Sequence, residues 1–413
     1  MKSSSMGVGV FALLIATCAT ARQPDSRWLA ESEQFGDALS SAERQRIQQT
    51  LTEALAQPDI QARLRRPASR DDIVMLGWPL HRNQRSNQFG YHGVSNYVDD
   101  DPAFPNQVRD YACGARSYDN AGGYNHAGID YFLWPFPWRT MDEEQVAIIA
   151  AAPGVLIASA DGNPDRSCAM GDAPWNAVYI RHADGSIAWY GHMKRGSVTR
   201  KAPGEMVEAG EYLGLVGSSG SSTGPHLHFE LHDANGVIID TKHGMCNAGP
   251  DRWINPQPYE DAAINSLSLH TAEPQSISCG VSAGQPVNET TFEAQIFAPG
   301  STLRAFASYR DHRNGDVSHF SLWRPDGSQF TAWNFDLAEQ QLPRPFYSAT
   351  GWDWLQSLPA DAPHGYWQFR ANFHGRDYLR EFFVGSDEEA RRAAAGRERA
   401  NTVTLPRGSR PND

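Results

Sequence analysis

The stretch Ser218 to Leu231, SSGSSTGPHLHFEL, sets two histidines one residue apart directly behind a run of small residues. From His226 to Leu231 polar and apolar residues alternate, which is the period of a strand. Leu227, Phe229 and Leu231 would then face a core, while His226 and His228 share the opposite face. Their Cα atoms would be about 7 Å apart, close enough for both imidazoles to address one small site. The glycine-rich run before them lets a ligand come close. A second constellation lies about a hundred residues upstream in YNHAGIDYFLWPF, where His126 and Asp130 stand four apart around Gly128. Gly128 and the apolar run after it read as a loop entering a strand, and even spacing again puts both side chains on one side. Imidazole plus carboxylate is a partial ligand set for zinc. A third piece is AWYGHMK, in which Tyr190 and His192 fall on one face of another alternating strand.

Two histidines and one aspartate would bind zinc and leave a fourth position for water, as in catalytic zinc sites, with two histidines over for proton transfer and charge stabilisation. Cysteine does not compete, because none of the cysteines shows close Cys-x-x-Cys or Cys-x-x-His spacing. Gly220 to Gly224 formally matches G-x-S-x-G, but that motif needs a helix after it, and here Pro225 and a strand follow.

The elements that must position these residues sit in a chain of 413 residues, long enough for two or three domains. Its formal net charge of -12 argues against a nucleic-acid partner. No segment approaches the roughly 20 apolar residues of a membrane span. Residues 1–21 read as a signal peptide, with Lys2, an apolar stretch from Val8 to Ala16 and small residues at Ala19-Thr20-Ala21, so the protein is expected to be exported to the periplasm or beyond the cell. Acylation of Cys18 is the alternative. The remaining cysteines, Cys113, Cys168, Cys246 and Cys279, suggest two disulfides in an oxidising compartment. Their order along the chain favours Cys113 with Cys168 and Cys246 with Cys279.

Residues 22–70 read as a helical segment. Ser40 and Glu43 fit a capping box, Ile47, Leu51 and Leu55 recur every four residues, and Pro58 is expected to stop the run. Residues 71–260 are rich in glycine, aromatics and short alternating runs. Residues 261–385 read as a small β-sandwich. There Leu303, Ala305, Ala307 and Tyr309 alternate before an Asn314-Gly315 hairpin turn, and Trp367, Phe369, Ala371 and Phe373 alternate again. Residues 386–413 carry mixed charges and read as a disordered tail or a solvated helix. The aromatic run Tyr131 to Trp138 reads as core and turn, with lining of a groove as the alternative. His182 reads as structural, at a strand end, and His232 takes no assignment.

With those motifs in hand, the chain resembles the M23 (LytM, lysostaphin-like) zinc metallopeptidases. The ordered set is His-x-x-x-Asp, Tyr-Gly-His and Gly-Pro-His-Leu-His-Phe-Glu, and it spans Tyr111 to Pro256 with AAPGVLIASADG, VEAGEYLGLVGSSGSSTG and WINP. The resemblance implies a mainly β fold, an antiparallel sheet groove with one zinc ion at its floor. It implies His126, Asp130 and His228 as zinc ligands, with His226 as general base and His192 as donor to the developing oxyanion, roles that could be exchanged. It further implies hydrolysis of peptide cross-links in bacterial peptidoglycan by a zinc-activated water. Two alternatives are a non-catalytic wall-binding or regulatory protein on the same fold and an extracellular protease acting on glycine-rich proteins. The loops holding Cys113 and Cys168 depart from the family pattern, and a bridge between them would pin the groove wall. A monomer is the default expectation.

Overall fold

A computed structural model describes residues 22–30, 35–64, 73–83 and 88–403. The segment read as a signal peptide lies outside the described residues. The fold is mainly antiparallel β, as the resemblance implies. Its centre is a seven-stranded sheet in the order β3 (His92–Asn96), β4 (Ile129–Leu133), β11 (His226–His232), β8 (Ile187–Gly191), β7 (Ala177–Arg181), β6 (Gly154–Ala160) and β9 (Met206–Val207). One face of this sheet carries Ile129, Tyr131, Leu156, Val178, Ile180, Ala188, Tyr190, Leu227, Phe229 and Leu231 into the main core. A three-stranded sheet of β2 (Leu80–Arg82), β5 (Val146–Ile149) and β10 (Tyr212–Leu215) contributes Leu80, Val146, Ile148 and Leu213 to the same core. The aromatic run Tyr131 to Trp138 is buried throughout, running through β4 into helix α3 (Pro137–Asp142).

The other face of the sheet is covered from the N-terminus. Within the stretch expected to be helical, a strand comes first: β1 (Ser26–Ala30) pairs with β19 (Phe346–Ser357). Ser40 caps helix α1 (Ser41–Leu55), its hydroxyl accepting from the Glu43 amide at 3.2 Å. The expected capping-box glutamate turns instead to Arg46. Pro58 does not merely stop a helix. It opens a second one, α2 (Pro58–Leu64), where its missing N–H costs nothing. Ile47, Leu51, Ala54 and Ile60 then pack on Val155, Ile157, Tyr179, Ile187 and Trp189, the outward-pointing residues of the sheet.

Strands β12 (Ala263–His270), β16 (Thr302–Arg313) and β19, with β1 at the edge, form one sheet of a sandwich. The second sheet runs β15 (Ile296–Phe297), β21 (Arg376–Val384), β20 (Gly365–Phe373), β17 (Val317–Trp323) and β18 (Gln329–Asp336). A short hairpin, β13 (Val281–Ser282) and β14 (Gln285–Pro286), precedes them. Both alternating runs seen in the sequence face the core between the two sheets. Asn314-Gly315 does sit in a turn, with Gly315 at φ 92°, but β16 and β17 do not pair. The turn crosses from one sheet to the other, a destination that turn residues do not encode.

One further expectation is corrected. The disulfides join Cys113 to Cys246 and Cys168 to Cys279, with Cα atoms 5.1 and 5.3 Å apart, rather than neighbouring cysteines. The loop after β11 folds back on Tyr111, whose carbonyl accepts from the Cys246 amide at 2.9 Å, and this brings Cys246 to Cys113. The long loop with Cys168 reaches the β13–β14 hairpin, where Arg166 donates to the carbonyls of Gly280 and Val287. The tail forms a helix, α4 (Asp387–Val403). Ser386 and Glu389 cap each other's backbone, and Arg397 bonds Glu381 over the Tyr366 ring.

Candidate metal centre

The antiparallel register puts Asp130 of β4 directly opposite His228 of β11, and Asn96 of β3 directly opposite Asp130 on its other side. His126 stands three residues before β4, and its ring comes back to the same point. His228 Nδ1 lies 2.8 Å from Asp130 Oδ1, His126 Nε2 3.1 Å from Asp130 Oδ2, and the two imidazole nitrogens 3.3 Å apart. All three residues are buried. Gly128 makes the approach possible, since a Cβ there would collide with the Phe229 carbonyl and lie 2.9 Å from the His228 ring.

Each ring is oriented through its other nitrogen. Nδ1 of His126 bonds the Tyr97 carbonyl at 2.7 Å, that of His226 the Gly224 carbonyl at 2.8 Å, and that of His192 the Ser219 carbonyl at 2.6 Å. His228 is turned the other way round, with Nε2 2.8 Å from Glu230 Oε1 and Nδ1 facing the cluster. Such outer partners set the tautomer of ligand histidines and raise their basicity. Asn96 donates to Asp130 Oδ2 at 2.9 Å. His226 Nε2, buried and 3.6 Å from Asp130 Oδ1, has no hydrogen-bond partner.

His192 reaches the cluster by a route that alternation does not describe. Tyr190 points into the core and donates nothing to the site; its hydroxyl accepts from the Ala151 amide at 2.9 Å. His192 follows the end of β8 at φ 60°, a left-handed conformation uncommon outside glycine. That twist turns its imidazole to the opposite side from Tyr190. Its ring centroid is 4.4 Å from that of His226.

A residue the sequence reading passed over completes the cluster. Asp37, from the segment between β1 and α1, offers a carboxylate oxygen to the group formed by His126, Asp130 and His228, all four ligand atoms lying within 4.8 Å of one another. Its oxygens are 3.5 Å from His228 Nδ1, 4.0 Å from His126 Nε2 and 3.2 Å from His192 Nε2. Tyr118 and Tyr124 donate to Asp37 Oδ1 at 2.8 and 2.7 Å. A single aspartate in FGDALS carries no spacing signal, so only the tertiary contact reveals it. Glu230, quoted with the histidine motif but given no role, also emerges. It bonds His228, His232 and Arg44 at once. His232 lies buried against the Trp189 ring, and His182 bonds the Pro153 carbonyl at 2.9 Å.

The electrostatics follow from burial of so many charges together. Burial opposes ionisation of Asp37, but His228 and then His192 hold its carboxyl below the usual range. Burial likewise opposes a charged His228, yet Asp37, Asp130 and Glu230 keep its imidazole well above the ordinary histidine value. His226, by contrast, is pushed down to about 4, by burial and then by neighbouring His192, and is neutral at neutral pH. An imidazole set facing two carboxylates, with the outward nitrogens already satisfied, has the composition of a divalent-cation site.

Residues 125–241, the stretch that holds this cluster apart from Asp37, match the model of peptidase family M23. The chain carries an M23 peptidase domain. Among its relatives, the DD-carboxypeptidase/endopeptidase Mpg of Neisseria meningitidis is 34% identical over 123 residues, 28% of each chain. An uncharacterized metalloprotease of Haemophilus influenzae is 38% identical over 107 residues, 24% of this chain and 22% of its own. The peptidoglycan DD-endopeptidase ShyC of Vibrio cholerae is 45% identical over 56 residues, 14% of this chain and 12% of its own. The likeness thus spans less than a third of each relative's length.

Proposed function

We propose that this chain is an exported zinc peptidase that hydrolyses peptide cross-links of bacterial peptidoglycan, with His126, Asp130 and His228 as ligands and His226 and His192 as the proton-handling pair. The observation that carries the reading is the convergence of two imidazole nitrogens and a carboxylate oxygen, each ring anchored at its far nitrogen. The orphaned His226 Nε2 beside them supports the same reading, since a buried acceptor without a partner suits a site where water or substrate binds. A zinc ion in this cluster would polarise a scissile carbonyl and acidify the attacking water.

The chain's own residues have defined tasks in that chemistry. His226 donates from Nδ1 to Gly224 and so presents a lone pair at Nε2, where it takes a proton as general base. His192 bonds Ser219 through Nδ1, and in its doubly protonated form it donates from Nε2 to the oxyanion that develops on the carbonyl. Asn96 fixes the Asp130 carboxylate, and Glu230 fixes His228. The Trp175 ring, 5.1 Å from His192 and 6.0 Å from His228, keeps bulk water from that side.

Export is supported by two disulfides, which persist in oxidising compartments. The wall substrate is supported by the endopeptidase activities for which the Neisseria meningitidis and Vibrio cholerae relatives are named. The test is to measure zinc stoichiometry and the release of soluble fragments from purified peptidoglycan, with product masses identifying the bond cut. His228→Ala should lose both metal and activity. Full metal and full activity in that variant would overturn the ligand assignment, and cleavage of glycine-rich proteins but not peptidoglycan would overturn the substrate.

A further inference from the structure

We infer that the outer face of the second sandwich sheet binds a neutral glycan, the sugar backbone of the peptidoglycan whose peptides the metal centre would cut. The choice of glycan rests on the wall-peptidase reading above. Strands β17, β18 and β20 turn Phe320, Leu322, Trp333, Phe335 and Phe369 into the core. The residues that alternation leaves on the other side are ordered by register into rows across the sheet. One row is Asn334, His319, Asn372 and Asp377, the next is Ala332, Ser321, Arg370 and Leu379, and a third sets Trp323 beside Gln368. The small Ala332 and Ser321 between larger neighbours leave a hollow of about 540 Å³, the size of a small-molecule site. The first sheet of the sandwich meets the peptidase domain, where Trp134 Nε1 donates to the Thr350 carbonyl at 3.3 Å and Phe136 stacks on Phe306. The hollow therefore looks away from the metal groove, and an occupant there does not compete with a peptide.

A sugar offers two kinds of surface, an apolar patch of ring C–H groups and a rim of hydroxyls that each donate and accept. The hollow presents a counterpart to both. Trp323 supplies the apolar plane. Its Nε1 donates to Ser321 Oγ at 2.8 Å, and the Arg370 guanidinium covers one face of the indole, 4.4 Å from the centroid. The planar polar groups are held in turn. Arg370 Nε donates to Gln368 Oε1 at 2.9 Å, Asn372 Nδ2 donates to Asp377 Oδ1 at 2.7 Å, and His319 Nδ1 lies 2.8 Å from Asn334 Oδ1. Side chains fixed before a ligand arrives lose little freedom on binding it. Amides, an imidazole, a guanidinium and a carboxylate together bring both donors and acceptors, which hydroxyls require. Other occupants fit this face less well. Among the described residues lining it, Leu379 alone brings a large aliphatic side chain, too little apolar surface for the core of a protein interface. The charges of Arg370 and Asp377 cancel, so nothing there draws a polyanion.

Titration calorimetry of the full-length chain with the N-acetylglucosamine hexamer tests this, since that probe holds no peptide for the metal centre to cut. The wild-type chain should bind the hexamer, and Trp323→Ala should weaken binding by about 10-fold or more. Ser321→Trp, which fills the hollow from a solvent-facing position, should abolish binding, with a cooperative melt confirming that each variant is folded. Both variants should cut a short soluble wall peptide at the wild-type rate and intact peptidoglycan more slowly. A wild-type chain that does not bind the hexamer, or binding unchanged in both variants, would overturn the inference while leaving the peptidase reading standing. Hexamer binding of the expected pattern by a chain that cuts no wall peptide would uphold the glycan site and overturn the peptidase reading instead.

Discussion

Arg44 of α1 grips Glu230 of β11 in a two-pronged ion pair, 3.0 and 2.7 Å long, with the Glu230 side chain fully buried. The same carboxylate holds the Nε2 of His228, so one contact ties the N-terminal helix to the orientation of a candidate ligand. Arg44→Ala should cost about 3 kcal/mol of stability, because it leaves a buried carboxylate without its strongest partner. Urea denaturation of the two proteins checks the figure. A loss below measurement error would mean that His228 and His232 alone compensate Glu230.

Gly128→Ala should disturb the metal centre more than the fold. The added methyl meets the Phe229 carbonyl and the edge of the His228 ring, which must then swing away from Asp130. Zinc affinity is expected to fall by about 10- to 100-fold, the range seen when support of a metal ligand is lost. Competition with a chromophoric chelator measures it, and an unchanged affinity would show that the ring has room to give.

His192→Ala separates metal binding from catalysis. The imidazole contacts Asp37 and His226 but contributes no atom to the four-membered ligand group. Zinc content should stay at the wild-type level, while kcat on peptidoglycan drops by about 100-fold. Loss of the metal with the activity would instead mark His192 as a support of the ligands.

Non-reducing digestion should yield cross-linked peptides pairing Cys113 with Cys246 and Cys168 with Cys279. The second bridge joins a loop of the peptidase domain to the segment between β12 and the β13–β14 hairpin. Its removal by a Cys168→Ser, Cys279→Ser double variant should cost about 2–4 kcal/mol. A peptide linking Cys113 to Cys168 would contradict the loop packing described above.

The sandwich should weaken in mild acid. His270 and His312 are buried, and burial first pushes His270 down to about 4 and His312 to about 3, against 6.5 in the unfolded chain. Both folded values are depressed, so the unfolded state binds more protons between them and 6.5. Their contribution is therefore complete above pH 6.5 and declines as pH falls, by up to about 1.4 kcal/mol per pH unit for each histidine. Denaturation at pH 7, 6 and 5 checks the slope, and a His270→Gln, His312→Gln double variant should flatten it.

Much of the site was legible along the chain because strands encode it with period two. His226 and His228 had to share a face once Leu227, Phe229 and Leu231 faced the core, and His126 with Asp130 led into a strand for the same reason. The same rule misplaced His192. Tyr190 and His192 have equal parity, but the positive φ at His192 breaks the alternation, and nothing in AWYGHMK announces it. Neighbour-pairing of cysteines failed for a related reason: chain order says nothing of which loops fold back on each other.

Sequence by itself determined the β architecture of the peptidase domain and the alternating faces of its strands, His226 and His228 sharing one of them, because those properties depend on neighbours two to four positions away. Only the tertiary structure decided the disulfide pairing, the crossing of the Asn314-Gly315 turn between sheets and the entry of Asp37 into the cluster of His126, Asp130 and His228. Asp37 and His228 are joined by burial and charge across a separation of nearly two hundred residues, and no local pattern records a contact formed at that distance.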